Sequence, residues 1–591
     1  MTPHPFPHPA RLLGVCLALL TLVAAGPTSA QDTDDLPVVT RTVAITNARV
    51  VVAPGSVMDD ATVLVRDGLI EAVGPDVTVP FDARTVAGDS LTVYPGFIDG
   101  LSHVGVETPD LDMSEDVDNP DDAPPARAGL LPHREARTLL SPDASEATSL
   151  REVGFTTAHV VPEGQMLPGQ GALIQLAGRD PNAMILNGVS SLFFQLKGAR
   201  SSWPNVVAPS TDMAVIATMR DLMREAERRH AMRAAYVSSP SGRQRPPTDP
   251  VHDALAPVVE GTLPIAAYVE DALDLHRALA LQSELGPSMM LAGLSGSFRA
   301  IESLQQTNSP LFLTLDLPEP PEEDGEDADT TAADGASEAT MASEGGAVES
   351  ALRVRSYEDI EAEERVLKAR QAQERAKYYQ TAAALHEAGL RFGFTSKDAS
   401  AGDVRANLRT MIEHGLPEDA ALAALTTDAA SLLGVDEQLG TVEAGKIANL
   451  VLTDGNYFAD DTAVRHVMVD GHLFEVSTTE DEGEVTGSVA AVVGTWEYTI
   501  ESPQGVLSGT LTLEERGADL DGTISSPAGD GKEELQSIAF DGSSLRFSFD
   551  GGDVGNVDVS VTVDGSDFEG SVSTGQFGSF PITGTRTTSP E

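Results

Sequence analysis

The hydrophobic pattern changes period several times along the chain. An apolar run at 12–25 ends at Gly26-Pro27, and a polar leader follows to about residue 38. From 42 to 93, short runs alternate apolar and polar positions: Val43-Ala44-Ile45, Val50-Val51-Val52, 61–66 and 69–73. Asp67-Gly68 separates the last two runs, a strong β-hairpin signal. From 94 to 440, compact apolar runs at 156–161, 264–268, 288–291, 311–315 and 391–395 predict buried strands. Helical periodicity at 213–235, 272–285 and 358–388 alternates with them, and Gly389 supplies a C-terminal cap for the last helix. Alternation over this length predicts an α/β fold, a (β/α)8 barrel in preference to an open sheet. The β pattern returns over 441–478, punctuated by Gly445-Lys446, Asp454-Gly455 and Asp470-Gly471. After a linker at 479–490, residues 491–588 place evenly spaced short strands (507–513, 545–549, 557–563) between glycine-rich turns. That spacing predicts a separate all-β module, a small barrel or sandwich, with its few aromatic rings in the core.

Composition changes this picture in three ways. With 591 residues the chain exceeds one ordinary core, and 41% hydrophobic residues suffice for normal packing. Acids outnumber bases 91 to 38, giving a formal charge of −53, and only six of the cations are lysine. Such a surface excludes nucleic acid as a partner, because phosphates need clustered cations. It fits folding in concentrated salt, where charges are screened within ~3 Å. Eleven acids and no base fall between 319 and 350, so 318–350 is expected to be a solvated, disordered insertion in the barrel.

The opening run, preceded by Arg11 and followed by Thr28-Ser29-Ala30, reads as a signal peptide at 1–30. It is shorter than the ~20 residues that a bilayer span needs. The expected location is periplasmic or extracellular, with no integral membrane segment after cleavage. The sole cysteine, Cys16, would leave with the signal, so thiol nucleophiles and zinc–thiolate sites are excluded from the mature chain.

At Tyr94-Pro95-Gly96-Phe97-Ile98-Asp99 the sequence resembles the amidohydrolase superfamily, in which this motif opens the first barrel strand. Asn47-Ala48-Arg49 through Asp67-Gly68-Leu69-Ile70 is similar to the first half of that family's small composite β-sandwich. Leu425-Thr426-Thr427, Leu432-Leu433-Gly434 and Gly440-Thr441-Val442-Glu443-Ala444-Gly445-Lys446 with Ala448-Asn449-Leu450-Val451 resemble the helices after the last barrel strand and the return into the sandwich. The likeness spans roughly 42–476 and looks nearest to the imidazolonepropionase-like branch. It implies a composite β-sandwich built from 42–93 and 441–478, with the barrel 94–440 inserted between them. It also explains the pairing, since neither β segment is large enough to form a stable sheet alone.

The resemblance further implies hydrolysis of C–N bonds by metal-activated water. The family pattern wants His-x-His on strand one, a carboxylate or modified lysine on strand four, histidines on strands five and six, and an aspartate on strand eight. Here strand one reads Leu101-Ser102-His103, so leucine replaces the first histidine. The strand-four candidate 184–187 has neither lysine nor carboxylate, and 264–268 and 289–293 have no histidine. His103 and Asp398 remain as metal ligands, with Asp398 as general base and His159 as the candidate third ligand. Gln165, Pro168, Gly169, Gln170 and Gly171 form a glycine-rich loop that the resemblance sets over the barrel mouth as a substrate loop.

Two functions follow. One is a secreted hydrolase acting on a small amide, cyclic amide or peptide-like substrate with a divalent metal, zinc first. The other is a catalytically silent relative without metal that binds an amide-like ligand in the same pocket. Oligomeric state stays open, self-association included.

Overall fold

The computed structural model describes residues 42–109, 117, 119, 123–318 except 143, 179 and 200–206, then 357–476 and 492–588 apart from the turns 503–504, 517–518, 526–531, 541–543, 551–555, 566 and 575–577. The expected signal peptide at 1–30, Cys16, the acidic run 319–350 and the linker 479–490 lie outside the described residues.

The first β segment comprises β1 (Thr42–Ala53), β2 (Ser56–Arg66), β3 (Leu69–Gly74), β4 (Arg84–Ala87) and β5 (Thr92–Pro95). Asp67 and Gly68 both take positive φ, 49° and 81°, as the two-residue β2–β3 turn requires. The barrel strands are β6 (Phe97–Ser102), β7 (Phe155–Val160), β8 (Gly169–Gln175), β9 (Ile185–Gln195), β10 (Ile265–Val269), β11 (Met289–Gly293), β12 (Leu311–Thr314) and β13 (Gly393–Thr395). The returning segment supplies β14 (Leu450–Thr453), β15 (Val464–Val469) and β16 (His472–Glu475). β14 pairs antiparallel with β5, Leu450 opposite Pro95, so the two segments form one eight-stranded sheet. That sheet encloses a core of its own around Ile45, Val50, Val63, Val93, Leu450 and Met468. Asn449 fastens it to the barrel. Its amide donates to Thr157 Oγ1 at 3.1 Å, its carbonyl accepts from Gly96 N, and its Oδ1 accepts from Asp470 N.

The eight barrel strands close in the order β10-β11-β12-β13-β6-β7-β8-β9. Closure holds, but the expected (β/α)8 arrangement does not. β8 runs antiparallel to both neighbours, with Val160 opposite Ala172 and Gly169 opposite Phe193. No helix separates β7 from β8, and only the one-turn α2 (Pro181–Met184) separates β8 from β9. Elsewhere helices cover the strands: α1 (Ser145–Glu152), α3 (Asp212–Ser238), α4 (Pro250–Ala254), α5 (Ala256–Val259), α6 (Ala272–Leu285), α7 (Ile301–Gln305), α8 (Tyr357–Tyr379) and α9 (Thr381–Glu387). After β13 come α10 (Val404–Glu413), α11 (Glu418–Leu425) and α12 (Thr427–Leu433). The single helix expected at 358–388 is two, divided at Gln380.

Ile98, Leu101, Val161, Phe193, Ala266, Tyr268, Met290 and Phe312 cluster inside the barrel. Gly100 makes room for this filling, because a Cβ there would lie 1.9 Å from Phe312 Cδ1.

Residues 494–588 form a nine-stranded antiparallel sheet from β17 (Gly494–Ser502) to β25 (Gly578–Thr588). Trp496, Tyr498, Phe540, Phe547 and Phe568 are buried in its core, as the sequence predicts for these rings. Trp496 donates to Val492 O at 2.9 Å.

Candidate functional site

Parallel barrel strands bring their C-terminal ends to one mouth, where loops carry the chemistry of such folds. On β6, Asp99 is fully buried between strands one and eight. Its Oδ1 accepts from Leu101 N at 3.2 Å and Ser396 N at 3.0 Å, and its Oδ2 from Ser396 Oγ at 2.5 Å. Burial pushes its carboxyl up to about 6, although the Ser396 and Leu101 hydrogen bonds pull it down. Leu101 is wholly buried, and its carbonyl accepts from Thr395 Oγ1.

His103 follows β6. Its Nδ1 faces Val161 O at 2.8 Å, which assigns the proton to Nδ1 and leaves Nε2 as an acceptor. The ring meets Phe193 edge-on, with centroids 6.0 Å apart. Burial lowers the His103 pKa and Lys397 adds to this, opposed by the Val161 carbonyl and the charges of Glu163 and Asp398.

Asp398, three residues past β13, is bound by its own chain. The Tyr268 hydroxyl donates to Oδ2, and Lys397 Nζ donates to Oδ1 at 2.8 Å. The same ammonium lies 3.9 Å from the Tyr268 ring centre, a cation–π contact. Burial works against ionisation of Asp398, but the Lys397 and Tyr268 hydrogen bonds and the Lys397 charge outweigh it, so its pKa falls below the ordinary value. Tyr268 moves the opposite way, raised by burial first and then by Asp398. The outcome is a Tyr268–Asp398–Lys397 cluster with His103 within electrostatic reach.

His159 is not part of it. The residue is buried lower in the barrel, with Nδ1 at 3.0 Å from Gly100 O and Nε2 at 3.0 Å from Ser191 Oγ. Both nitrogens are taken, and burial drops its pKa to about 4, so it is a neutral structural histidine. The substrate-loop expectation also changes. Gly169, Gln170 and Gly171 belong to β8, and only Gln165 and Pro168 precede the strand. Gln165 and Gln170 are buried, and Gln170 Nε2 donates inward to Pro132 O at 3.0 Å. A Cβ on Gly171 would lie 2.7 Å from both His159 Nε2 and Ser191 Oγ, so this glycine serves packing. Strand four ends at Gln195, not near Asn187, and Gln195 Nε2 is spent on the carbonyls of Gly164 and Gln165.

This donor set does not fit a divalent ion. Leu101 fills the place of the first histidine, Asp398 has both oxygens engaged, and His159 is sealed elsewhere. Among the described residues, no group of three or more His, Cys, Asp or Glu side chains could hold a metal. Tyr268 and Lys397 are the residues that ligand-pattern reasoning missed. Lys397 sits beside Asp398 in sequence, but nothing local marks Tyr268 as its partner.

Residues 349–474 match the model of the amidohydrolase family. The matched segment runs from α8 through the last barrel strand into the composite sheet, and it agrees with the resemblance carried by the Pro95-Gly96-Phe97-Ile98-Asp99 motif. An amidohydrolase from Thermotoga maritima MSB8 shares the fold at a TM-score of 0.53 and 19% identity, covering 73% of this chain and all (100%) of that one. A Xaa-Pro dipeptidase with bound methionine in its active site matches at a TM-score of 0.40 and 15% identity, over 73% of this chain and 100% of that one. Molinate hydrolase matches at 0.40 and 15%, over 74% and 95%. No curated protein matches in sequence.

Proposed function

We propose that this amidohydrolase-like protein binds a small amide-like or peptide-like molecule at the barrel mouth without metal-activated hydrolysis. The carrying observation is Asp398, whose carboxylate is bridged by Tyr268 and Lys397 where the superfamily's chemistry needs it free. Lys397, which has protons beyond the one given to Asp398, can donate to a ligand carbonyl, while the remaining lone pairs of Asp398 and His103 Nε2 can accept from its N–H groups. Asp398 is partly exposed, so a ligand can compete for it.

The family resemblance favours a second reading, hydrolysis of a C–N bond by water on a divalent metal, zinc first. Full chain purified with zinc, manganese and iron present separates the two. Less than ~0.1 metal per chain, with N-acetylglycinamide binding that Lys397→Met weakens at least tenfold, supports the first reading, since metal-activated water is the second reading's nucleophile. A metal retained near one per chain and lost in His103→Ala overturns it. Export is also proposed, from the run at 12–25; a mature N-terminus at Gln31 is expected.

A further inference from the structure

The loops after β11 and β12 leave the barrel at its mouth, and α8 packs against both. Tyr379 donates to Pro318 O at 2.6 Å, Arg299 pairs with Glu374 at 3.2 Å, and the Phe298 and Tyr378 rings meet edge-on with centroids 5.5 Å apart. Between helix and loops lies a cleft of about 730 Å³, lined by Ser295, Asp316, Pro318, Arg370, Arg375 and Tyr378 among others. Asp316, which lines it, follows β12 at the barrel mouth, and its charge reaches the Tyr268 hydroxyl.

The two arginines are the informative feature. They line the cleft together with the carboxylates of Asp316 and Glu374. Glu374, on the same helix, is taken by Arg299 at 3.2 Å and Lys377 at 2.5 Å. Among the described residues no ion pair involves Arg370 or Arg375, although Arg375 is only partly exposed. Two guanidinium groups five residues apart on α8, both lining one cleft, match a carboxylate by charge and forked hydrogen bonding.

We propose that this cleft is a carboxylate subsite, so that the ligand of the mouth is an N-acylated amino acid or short peptide with a free carboxylate. Arg370 and Arg375 take the carboxylate and the Tyr268–Asp398–Lys397 cluster takes the amide. The amide half rests on the proposed function; the carboxylate half does not.

Titration calorimetry of the full chain at fixed ionic strength, with N-acetylglycine and its uncharged counterpart N-acetylglycinamide, tests it. Wild type is expected to prefer the carboxylate at least tenfold. Arg370→Ala with Arg375→Ala should reduce that preference to within twofold of unity, and Arg375→Glu should reverse it. Circular dichroism checks that α8 remains folded. A wild type that does not bind N-acetylglycine, or shows no preference for it, overturns the subsite. So does a preference that survives the double substitution, or one unmoved by Arg375→Glu. Should N-acetylglycinamide alone fail to bind while N-acetylglycine binds through the arginines, the subsite stands and the amide-binding mouth fails.

Discussion

Asp99→Asn isolates a buried charge at the centre of the barrel. Both backbone donors, Leu101 N and Ser396 N, reach Oδ1, and Oδ2 meets the Ser396 hydroxyl with the Ser102 hydroxyl also acting on the carboxyl, so an asparagine can keep both backbone donors and the Ser396 contact. Asp99 is raised by burial from 3.8 to about 6, worth about 3 kcal/mol at ~1.36 kcal/mol per pH unit. A raised folded pKa means that the folded state holds the proton more tightly. The stability is therefore complete below about 3.8 and is lost as pH rises through about 6. His159 has the opposite sign. Its pKa falls by burial from 6.5 to about 4, so the unfolded chain binds the extra proton and about 3 kcal/mol is lost as pH falls through that window. The two slopes nearly cancel in the wild type. Asp99→Asn removes one and exposes the other. The difference in stability between variant and wild type should grow by about 3 kcal/mol in favour of asparagine from pH 4 to pH 8. The other carboxylates are common to both proteins and cancel in that difference. Hydrogen exchange of the Leu101 and Ser396 amides at matched pH reads it locally. Parallel behaviour of the two proteins across pH 4 to 8 would refute the buried-charge argument.

Other substitutions test the packing below the mouth and the surface charge. His159→Ala strands the Gly100 carbonyl and the Ser191 hydroxyl and opens a cavity, so thermal or urea unfolding should show a loss of about 3 kcal/mol. The same variant should leave metal content unchanged; a loss of bound metal would return His159 to the ligand set. Gly171→Ala places a Cβ 2.7 Å from two polar atoms and should cost about 1–3 kcal/mol in the same assay, without changing N-acetylglycinamide affinity. With a formal charge of −53, the melting temperature should climb steeply between dilute and molar KCl, and a flat response would reject salt adaptation.

Much of the scaffold was legible because its signals are local. Asp67-Gly68 announces its hairpin, and five of the barrel strands stand out as apolar runs between helical segments. β8 was not legible, because its glycines look like turn punctuation. Gly169 and Gly171 are strand residues kept small because a Cβ would lie 2.6 Å from the Arg134 carbonyl oxygen and 2.7 Å from His159 Nε2, which no local pattern records. The end of strand four is hidden for a related reason. β9 is eleven residues long, so its C-terminal end lies well beyond the 184–187 run. At the site, the missing histidines could be read directly from sequence, as Leu101 illustrates. What replaced them could not, since Tyr268 and Asp398 meet across 130 residues of chain.

The reversed strand also bears on how the barrel assembles. β7, β8 and β9 follow one another as a meander between residues 155 and 195, while closure joins Phe394 on β13 to Asp99 on β6 across most of the domain. Loop-closure entropy makes the near contacts cheap and the far one slow. The chain thus carries a three-stranded template of low contact order inside a fold that otherwise relies on distant parallel pairing. On this template the remaining strands can add in turn, and the Asp99–Ser396 clamp joins the first and last of them when the ring shuts.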